Sequence, residues 1–181
     1  MKKVLLVLAV ALLAAGLASA AGAKSSGDLS WMTSYNEPGQ INVYASAALD
    51  PFGVDGSVAG EYIVGKFNIG EVPLEWGAEA RANLAFDSFL GYANWMDWGV
   101  APMATLHWGV DFGKPWKFDF YVGAGVGVYG TTGDYYDNGI HVGFASYNGV
   151  SWQFSDKIAL LSEGGYIGYS GVWGLGAKFK L

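Results

Sequence analysis

The chain has 181 residues with 16 Asp and Glu against 10 Lys and Arg, and its formal charge of −6 excludes electrostatic capture of nucleic acid or of an anionic lipid surface by a basic patch. It contains no cysteine, so neither disulfide staples nor a lipidated N-terminal cysteine can hold it. An aromatic content of 16% beside 28 glycines, with only 14% charged residues, departs from the composition of an ordinary soluble domain. At the front of the chain, Lys2 and Lys3 precede an apolar run from Val4 to Leu17, and Ala18-Ser19-Ala20 forms a small-x-small cleavage site. Residues 1–20 are therefore read as a cleaved secretory signal. Residues 21–40, rich in Ser, Gly and Asn with Pro38, are read as a flexible lead-in. No later segment has 18 consecutive apolar residues, so any further membrane span must be built of strands.

From residue 41 onward, a period-two alternation of apolar and small or polar residues recurs eight times, at lengths close to the ~9–11 residues with which a tilted strand crosses a bilayer. The first strand, 41–49, presents Ile41, Val43, Ala45, Ala47 and Leu49 on one face. The second, about 56–67, presents Val58, Tyr62 and Val64. The third, 74–86, presents Leu74, Trp76, Ala78, Ala80, Ala82, Leu84 and Phe86, and the fourth, 100–112, presents Ala104, Leu106, Trp108, Val110 and Phe112. The fifth, 116–129, is the clearest. Trp116, Phe118, Phe120, Val122, Ala124, Val126 and Val128 alternate with Lys117, Asp119, Tyr121, Gly123, Gly125, Gly127 and Tyr129. The sixth, seventh and eighth strands cover 140–154, 158–166 and 171–181. In the fifth strand the second face carries glycines beside tyrosines and an ion pair. That suits a crowded interior, where large side chains of one strand need empty space on the next, and it puts the greasy face on lipid.

The connections alternate in kind. Gly113-Lys114-Pro115, Ser155-Asp156 and the slightly longer 68–73 are tight turns at one end. Residues 50–55, 87–99, 130–139 and 167–170 are the loops at the other. Aromatic residues gather at both levels. Trp76, Trp108, Phe112, Trp116, Phe118, Trp152, Phe154 and Phe179 lie towards the tight turns, and Phe86, Tyr92, Trp95, Trp98, Tyr166, Tyr169 and Trp173 towards the loops, as two interfacial girdles would be placed. The expected fold is all-β, an eight-stranded antiparallel up-and-down transmembrane β-barrel over residues 41–181.

Inward parity collects Glu61, Glu75, Glu79, Arg81, His107, Asp111, Lys117, Asp119, His141 and Glu163. A turn centred near Lys114 puts Asp111 beside Lys117, and a turn near Gly70 puts Glu61 beside Glu79 or Arg81. The second loop would bring His107 near Glu79. Arg81, the only arginine, is expected to sit among carboxylates. Eight strands enclose an interior just wide enough for side chains, so this network reads first as a charge-paired plug; as the alternative, its acidic excess lines a narrow path for cations.

The C-terminal segment GVWGLGAKFKL sets Trp173, Leu175, Ala177, Phe179 and Leu181 on one face and resembles the terminal strand of Gram-negative outer-membrane proteins. FDFYVGAGVGVY and SWQFSDKIALLSEGGY resemble central hairpins of the small eight-stranded group related to the OmpA membrane domain, OmpX and OmpW. The resemblance implies a place in the outer membrane of a Gram-negative-type bacterium and insertion by the barrel-assembly machinery, which would read Trp173, Leu175, Phe179 and Leu181; Leu181 stands where an aromatic residue is usual. Two functions are open, the first read from the loop residues and the second suggested by the OmpW-like resemblance. One is a non-enzymatic structural or surface-contact role, with Tyr92, Trp95, Trp98, Tyr135 and Tyr136 as loop contacts to a host or environmental surface. The other is a narrow channel or lateral route for small or hydrophobic solutes.

The residues argue against an enzyme. His141 has no serine two residues on, because position 143 is Gly, and Asp134 and Asp137 have no matching nucleophile. Two histidines on separate strands do not make a metal site, and the mid-strand glycines do not make a phosphate cradle, so no cofactor is expected. The signal assignment is checked by mass spectrometry of the membrane-extracted chain, whose first residue is expected to be Ala21. A mature chain that retains Met1 to Ala20 would contradict it.

Overall fold

The computed structural model describes residues 29–49, 53–89, 93–133 and 139–181. Its strands are β1 (Met32–Thr33), β2 (Ile41–Leu49), β3 (Gly53–Ile69), β4 (Val72–Phe89), β5 (Ala93–Asp111), β6 (Lys117–Gly133), β7 (Ile140–Gln153), β8 (Ile158–Ile167) and β9 (Ser170–Lys180). β2 to β9 pair antiparallel in chain order, and β9 pairs back onto β2 from Asn42↔Lys180 to Ala47↔Leu175. β5–β6 pairing completes the ring. The eight expected strands are thus present and closed into one up-and-down barrel. Closure leaves no free edge along the wall, which is the condition for crossing hydrocarbon with strands.

Burial is inverted relative to a soluble protein. Phe144 is 76% exposed and Trp173 75%, whereas Arg81, Glu61, Glu163 and Lys178 are each 1% exposed. The outward side chains of β3 to β9 are mainly Val, Leu, Ile, Ala and aromatic residues, with Ser146, Asn148 and Ser162 among them, and the inward ones combine Glu, Arg, His, Tyr, Asn and Ser with smaller apolar groups such as Ala101, Met103 and Leu161. This arrangement is stable only if the solvent outside is apolar. Inward glycines make room for tyrosines: a side chain at Gly149 would overlap the Tyr121 ring, and one at Gly143 or Gly168 would overlap Tyr129. Along β5, Ala101 and Pro102 drop out of the ladder to β6, as a residue without an N–H must.

The strands run longer than the alternation predicts. β3 and β4 continue to Ile69 and Val72, which leaves a two-residue turn at Gly70-Glu71 with Gly70 at φ 62°, where 68–73 was expected. At the loop end β4 and β5 pair as far as Phe89↔Ala93, and β5 and β6 as far as Trp95↔Gly133. The expected loop 87–99 therefore shrinks to the few residues between β4 and β5, and Trp95 and Trp98 stand in β5, because aromatic residues extend a ladder readily. The wall is uneven there. The β8–β9 hairpin turns at Ile167↔Ser170, while β7 continues from Ala145, its last partner on β8, to Ile140.

At the turn end the lead-in is folded against the barrel from residue 29 onward. The β4–β5 ladder stops at Glu75↔His107, and β1 takes up Gly109 and Val110 of β5 instead. Val72 and Leu74 are buried here, where β1 packs beside β4, so Leu74 does not face lipid as its parity suggested. Trp31 stacks on Phe112 with centroids 6.1 Å apart. In this architecture an Ala104→Arg substitution, on the exposed outer face at mid-wall, is expected to destabilise the barrel by ~2–4 kcal/mol in urea unfolding from lipid vesicles. Unchanged stability would place that face away from hydrocarbon. The parent chain is expected to show heat-modifiable gel mobility and to require detergent.

Candidate functional site

The lumen carries two layers of buried charge. The layer nearer the loops is built on Arg81 of β4. Its Nε donates to Glu79 Oε1 at 2.7 Å, Nη1 to Glu163 Oε1 at 2.7 Å and to Ser57 Oγ at 2.9 Å, and Nη2 to Tyr121 OH at 3.2 Å and Glu79 Oε2 at 3.3 Å. These contacts use all five guanidinium donors. Glu79 and Arg81 are two apart on one strand and so share its inner face. Tyr147 lies under the guanidinium, 4.2 Å from ring centroid to Cζ, and Tyr44 at 5.7 Å. Ser46 Oγ and Tyr121 OH also donate to Glu163.

The layer nearer the turns is built on His107 of β5. Its Nε2 is 2.7 Å from Glu61 Oε1 and its Nδ1 3.3 Å from Asp119 Oδ1, an arrangement that an imidazolium satisfies with two donors. Glu61 further accepts from Asn42 Nδ2 at 2.9 Å and from the hydroxyls of Tyr44 and Thr105. Lys178 Nζ donates to Asp119 Oδ2 at 2.6 Å and to Asn36 Oδ1 at 2.9 Å. Asn36 in turn gives its backbone N–H and its Nδ2 to the two oxygens of Glu75, at 2.9 and 2.6 Å. Outside the spanning wall, Tyr35 donates its hydroxyl to Val110 O at 3.0 Å; burial, with the Asp111 carboxylate beside it, pushes that hydroxyl well above the ordinary phenol range, so it stays a neutral donor.

Glu61, Glu79, Arg81, His107, Asp119 and Glu163 thus meet in the lumen as their parity indicates. Two expectations are corrected. Asp111 and Lys117 pair at 3.0 Å, as the turn predicts, but they are 31% and 32% exposed and stand at the rim outside the buried network, because β5 and β6 end there. His107 faces Glu75 across the ladder, and Glu79 faces Met103, so His107 is bonded to Glu61 and Asp119 and not to Glu79. His141, at the loop-end rim, is paired across the ladder with Tyr129 as its position on the strand indicates, and its ring lies 5.6 Å from that of Tyr129 and 6.1 Å from that of Tyr169. Lys178, Asn42 and Tyr44 were missed although parity marked them: each alternates with an outward residue of its strand. Asn36 carried no such signal, since it belongs to no strand.

Glu75, His107 and Asp119 each place one ligand atom within 4.8 Å of the others, the spacing of a metal site. Their surroundings do not fit a cation. Both oxygens of Glu75 are taken by Asn36, and the Lys178 ammonium sits on Asp119. An ion would have to displace both. At the loop end, Trp95 faces Asp87 and Gly133, and Trp98 faces Leu84 and Gly130; Tyr92, Tyr135 and Tyr136 lie outside the described residues. On β9 and just beyond it, Trp173, Leu175, Phe179 and Leu181 are all exposed on the outer wall.

Ring closure, an apolar exterior and a lumen filled with paired charge define an eight-stranded antiparallel up-and-down transmembrane β-barrel. No family model matches the chain, and none of the curated proteins does. Among solved structures, the crystal structure of Neisserial surface protein A shares 15% identity at a TM-score of 0.47, over 78% of this chain and 94% of that one. Ail, the attachment invasion locus protein of Yersinia pestis, shares 13% identity at 0.41 and, in complex with the heparin analogue sucrose octasulfate, 14% at 0.39; each covers 78% of this chain and 96% of the other. The class rests on the ring and on the inverted burial of the chain itself.

Arg81→Ala is expected to cost ~3–5 kcal/mol in urea unfolding, because it leaves Glu79 and Glu163 buried without a cation. Arg81→Lys should recover only part of this, since one ammonium cannot reach five acceptors. Parent-like stability of both variants would mean that Arg81 does not hold the layer together.

Proposed function

We propose that the chain is a non-enzymatic integral outer-membrane protein of a Gram-negative-type bacterium that meets its surroundings through the loop end of a non-conducting barrel. The observation that carries this reading is the filled lumen. Arg81 with Tyr44, Tyr121 and Tyr147 blocks one level, and His107 with Lys178 and Asn36 blocks another, all of them buried. A pore needs an open water path, and neither layer leaves one among the described residues. Against an enzyme stands the chemistry of the same groups: the lumen carboxylates named above are paired or hydrogen-bonded, and among the described residues no serine or threonine is hydrogen-bonded to a histidine as a nucleophile would be.

The contact role is supported by the uneven rim. β4 to β7 rise past the β8–β9 hairpin and carry Trp95 and Trp98, and Tyr92, Tyr135 and Tyr136 fall in the sequence between these strands. The partners of this reading are outer-membrane lipid along the wall, the barrel-assembly machinery acting on the last strand, and a host or environmental surface at the loop end.

In planar bilayers the purified chain is expected to give no steady discrete conductance, and replacing residues 90–92 and 134–138 by Gly-Ser should abolish binding to cell or matrix surfaces while leaving heat-modifiable mobility intact. Steady cation-selective steps would favour the narrow-channel reading. Undiminished surface binding by the loop variant would remove the contact role.

A further inference from the structure

The two charged layers of the lumen are bridged by a pair of tyrosines from opposite walls. Tyr44 of β2 stands between Asn42, which donates to Glu61 in the His107 layer, and Ser46, which donates to Glu163 in the Arg81 layer. Tyr121 of β6 stands four strands away around the ring, two residues along from Asp119. Both tyrosines are buried, and their ring centroids are 5.5 Å apart.

The pair is crossed. The Tyr44 hydroxyl donates to Glu61 in the His107 layer, while its ring lies 5.7 Å from Arg81 Cζ. The Tyr121 hydroxyl donates to Glu163 and accepts from Arg81 Nη2 at 3.2 Å, while its ring stacks on His107 with centroids 5.6 Å apart. Each tyrosine thus has its hydroxyl in one layer and its ring against the cation of the other. A phenol is rigid from ring to oxygen, so neither layer can shift without pulling on a bond in the other. A second link has the opposite sign. Glu61 and Glu79, one from each layer, face each other across the β3–β4 ladder. Like charges so placed repel, and each is held by the cation of its own layer, Glu61 by His107 and Glu79 by Arg81. Loss of either cation leaves one carboxylate unscreened against the other layer.

We propose that the two layers form one coupled unit, joined by Tyr44 and Tyr121 and set against each other by Glu61 and Glu79, so that the lumen yields as a whole or not at all. A disturbance at the turn end, where Asn36 completes Glu75 and Lys178 completes Asp119, is then felt at Arg81, and the reverse. Independent layers could open in turn and let an ion through by stages; coupled layers close that route. The inference sharpens the non-conducting reading without resting on it, because coupling is measured in the side chains and conductance in the bilayer.

The chain has two histidines, which makes the test direct. His107 reports on the turn-end layer, and His141, at the loop-end rim beside Tyr129, is the internal control. The full chain, ring-labelled at histidine and folded in detergent, is followed by NMR. Arg81→Lys and Ser46→Ala both act on the Arg81 layer. Each is expected to move the His107 imidazole resonances and to leave those of His141 in place, and Ser46→Ala serves alone if Arg81→Lys does not fold. Tyr44→Phe with Tyr121→Phe keeps both rings and removes both hydroxyls. In that background the same changes should move His107 at most about half as far, and Tyr121→Phe alone serves if the pair does not fold. Urea unfolding supplies the energetic arm. Thr105 donates to Glu61 and Ser46 to Glu163, so Thr105→Val and Ser46→Ala share no hydrogen-bond partner. Their combined effect on the unfolding equilibrium should fall short of the product of the single effects by at least about threefold. The proposal is overturned if His107 does not respond to changes in the Arg81 layer, if it responds equally without the tyrosine hydroxyls, or if the Thr105 and Ser46 substitutions act independently.

Discussion

Every backbone N–H and C=O that enters hydrocarbon must find a partner within the protein, since each one left unpaired costs several kcal/mol. That requirement decides most of this molecule. It forces the strands into a ring, because an open sheet would expose two rows of amides to lipid. It also explains why the ladder from β9 back to β2, only six pairs from Asn42↔Lys180 to Ala47↔Leu175, matters as much as the much longer ones between β3 and β6. Once the ring is closed, alternation sends every second side chain to lipid and the rest inward, and eight strands leave no room inside for anything but side chains.

The interior therefore has to be solved as a packing problem in which most pieces are polar. Five carboxylates (Glu61, Glu75, Glu79, Asp119 and Glu163) are held by Arg81, His107 and Lys178 together with tyrosine, serine, threonine and asparagine donors. Charges so deeply buried are costly unless all their hydrogen bonds are met, which is why Arg81 uses all five donors and Glu61 accepts from four residues. The proposed non-conducting, non-enzymatic reading rests on this pairing of the charged groups, for a path or a reaction needs groups that are free to exchange partners. The glycines of β6 to β8 belong to this solution: Tyr121 and Tyr129 occupy space that side chains at positions 149, 143 and 168 would otherwise fill.

The two ends answer to water and differ accordingly. At the turn end the β4–β5 ladder stops at Glu75↔His107, and a short strand from outside the ring takes over, carrying Asn36 beneath it to complete Glu75. At the loop end pairing runs on well past the last shared level, but on one side only, so β4 to β7 stand above the β8–β9 hairpin. Both departures from a plain cylinder occur where water takes over the amides that lipid could not, and both are where the molecule has freedom to do something other than span a membrane.

Alternation by itself determined the architecture. A period of two repeated eight times, with glycine-and-tyrosine faces such as 117–129, already specified strands, their number and their inner residues, because a side chain's face follows from its parity alone. Turn position fixed the Asp111–Lys117 pair for the same reason and narrowed the partner of Glu61 to Glu79 or Arg81, of which the ladder selects Glu79. What parity cannot carry is distance along the lumen and contact across it. That His107 reaches Glu61 and Asp119 instead of Glu79, that Lys178 completes Asp119, and that Arg81 joins Glu79 to Glu163 all depend on the tilt of the ring, which brings distant strands to one level. The role of residues 29–40 was beyond any periodic reading. Asn36 is in no strand, and it becomes part of the lumen only because the closed barrel presents Glu75, Asp119 and Lys178, from three different strands, around the point where that segment crosses.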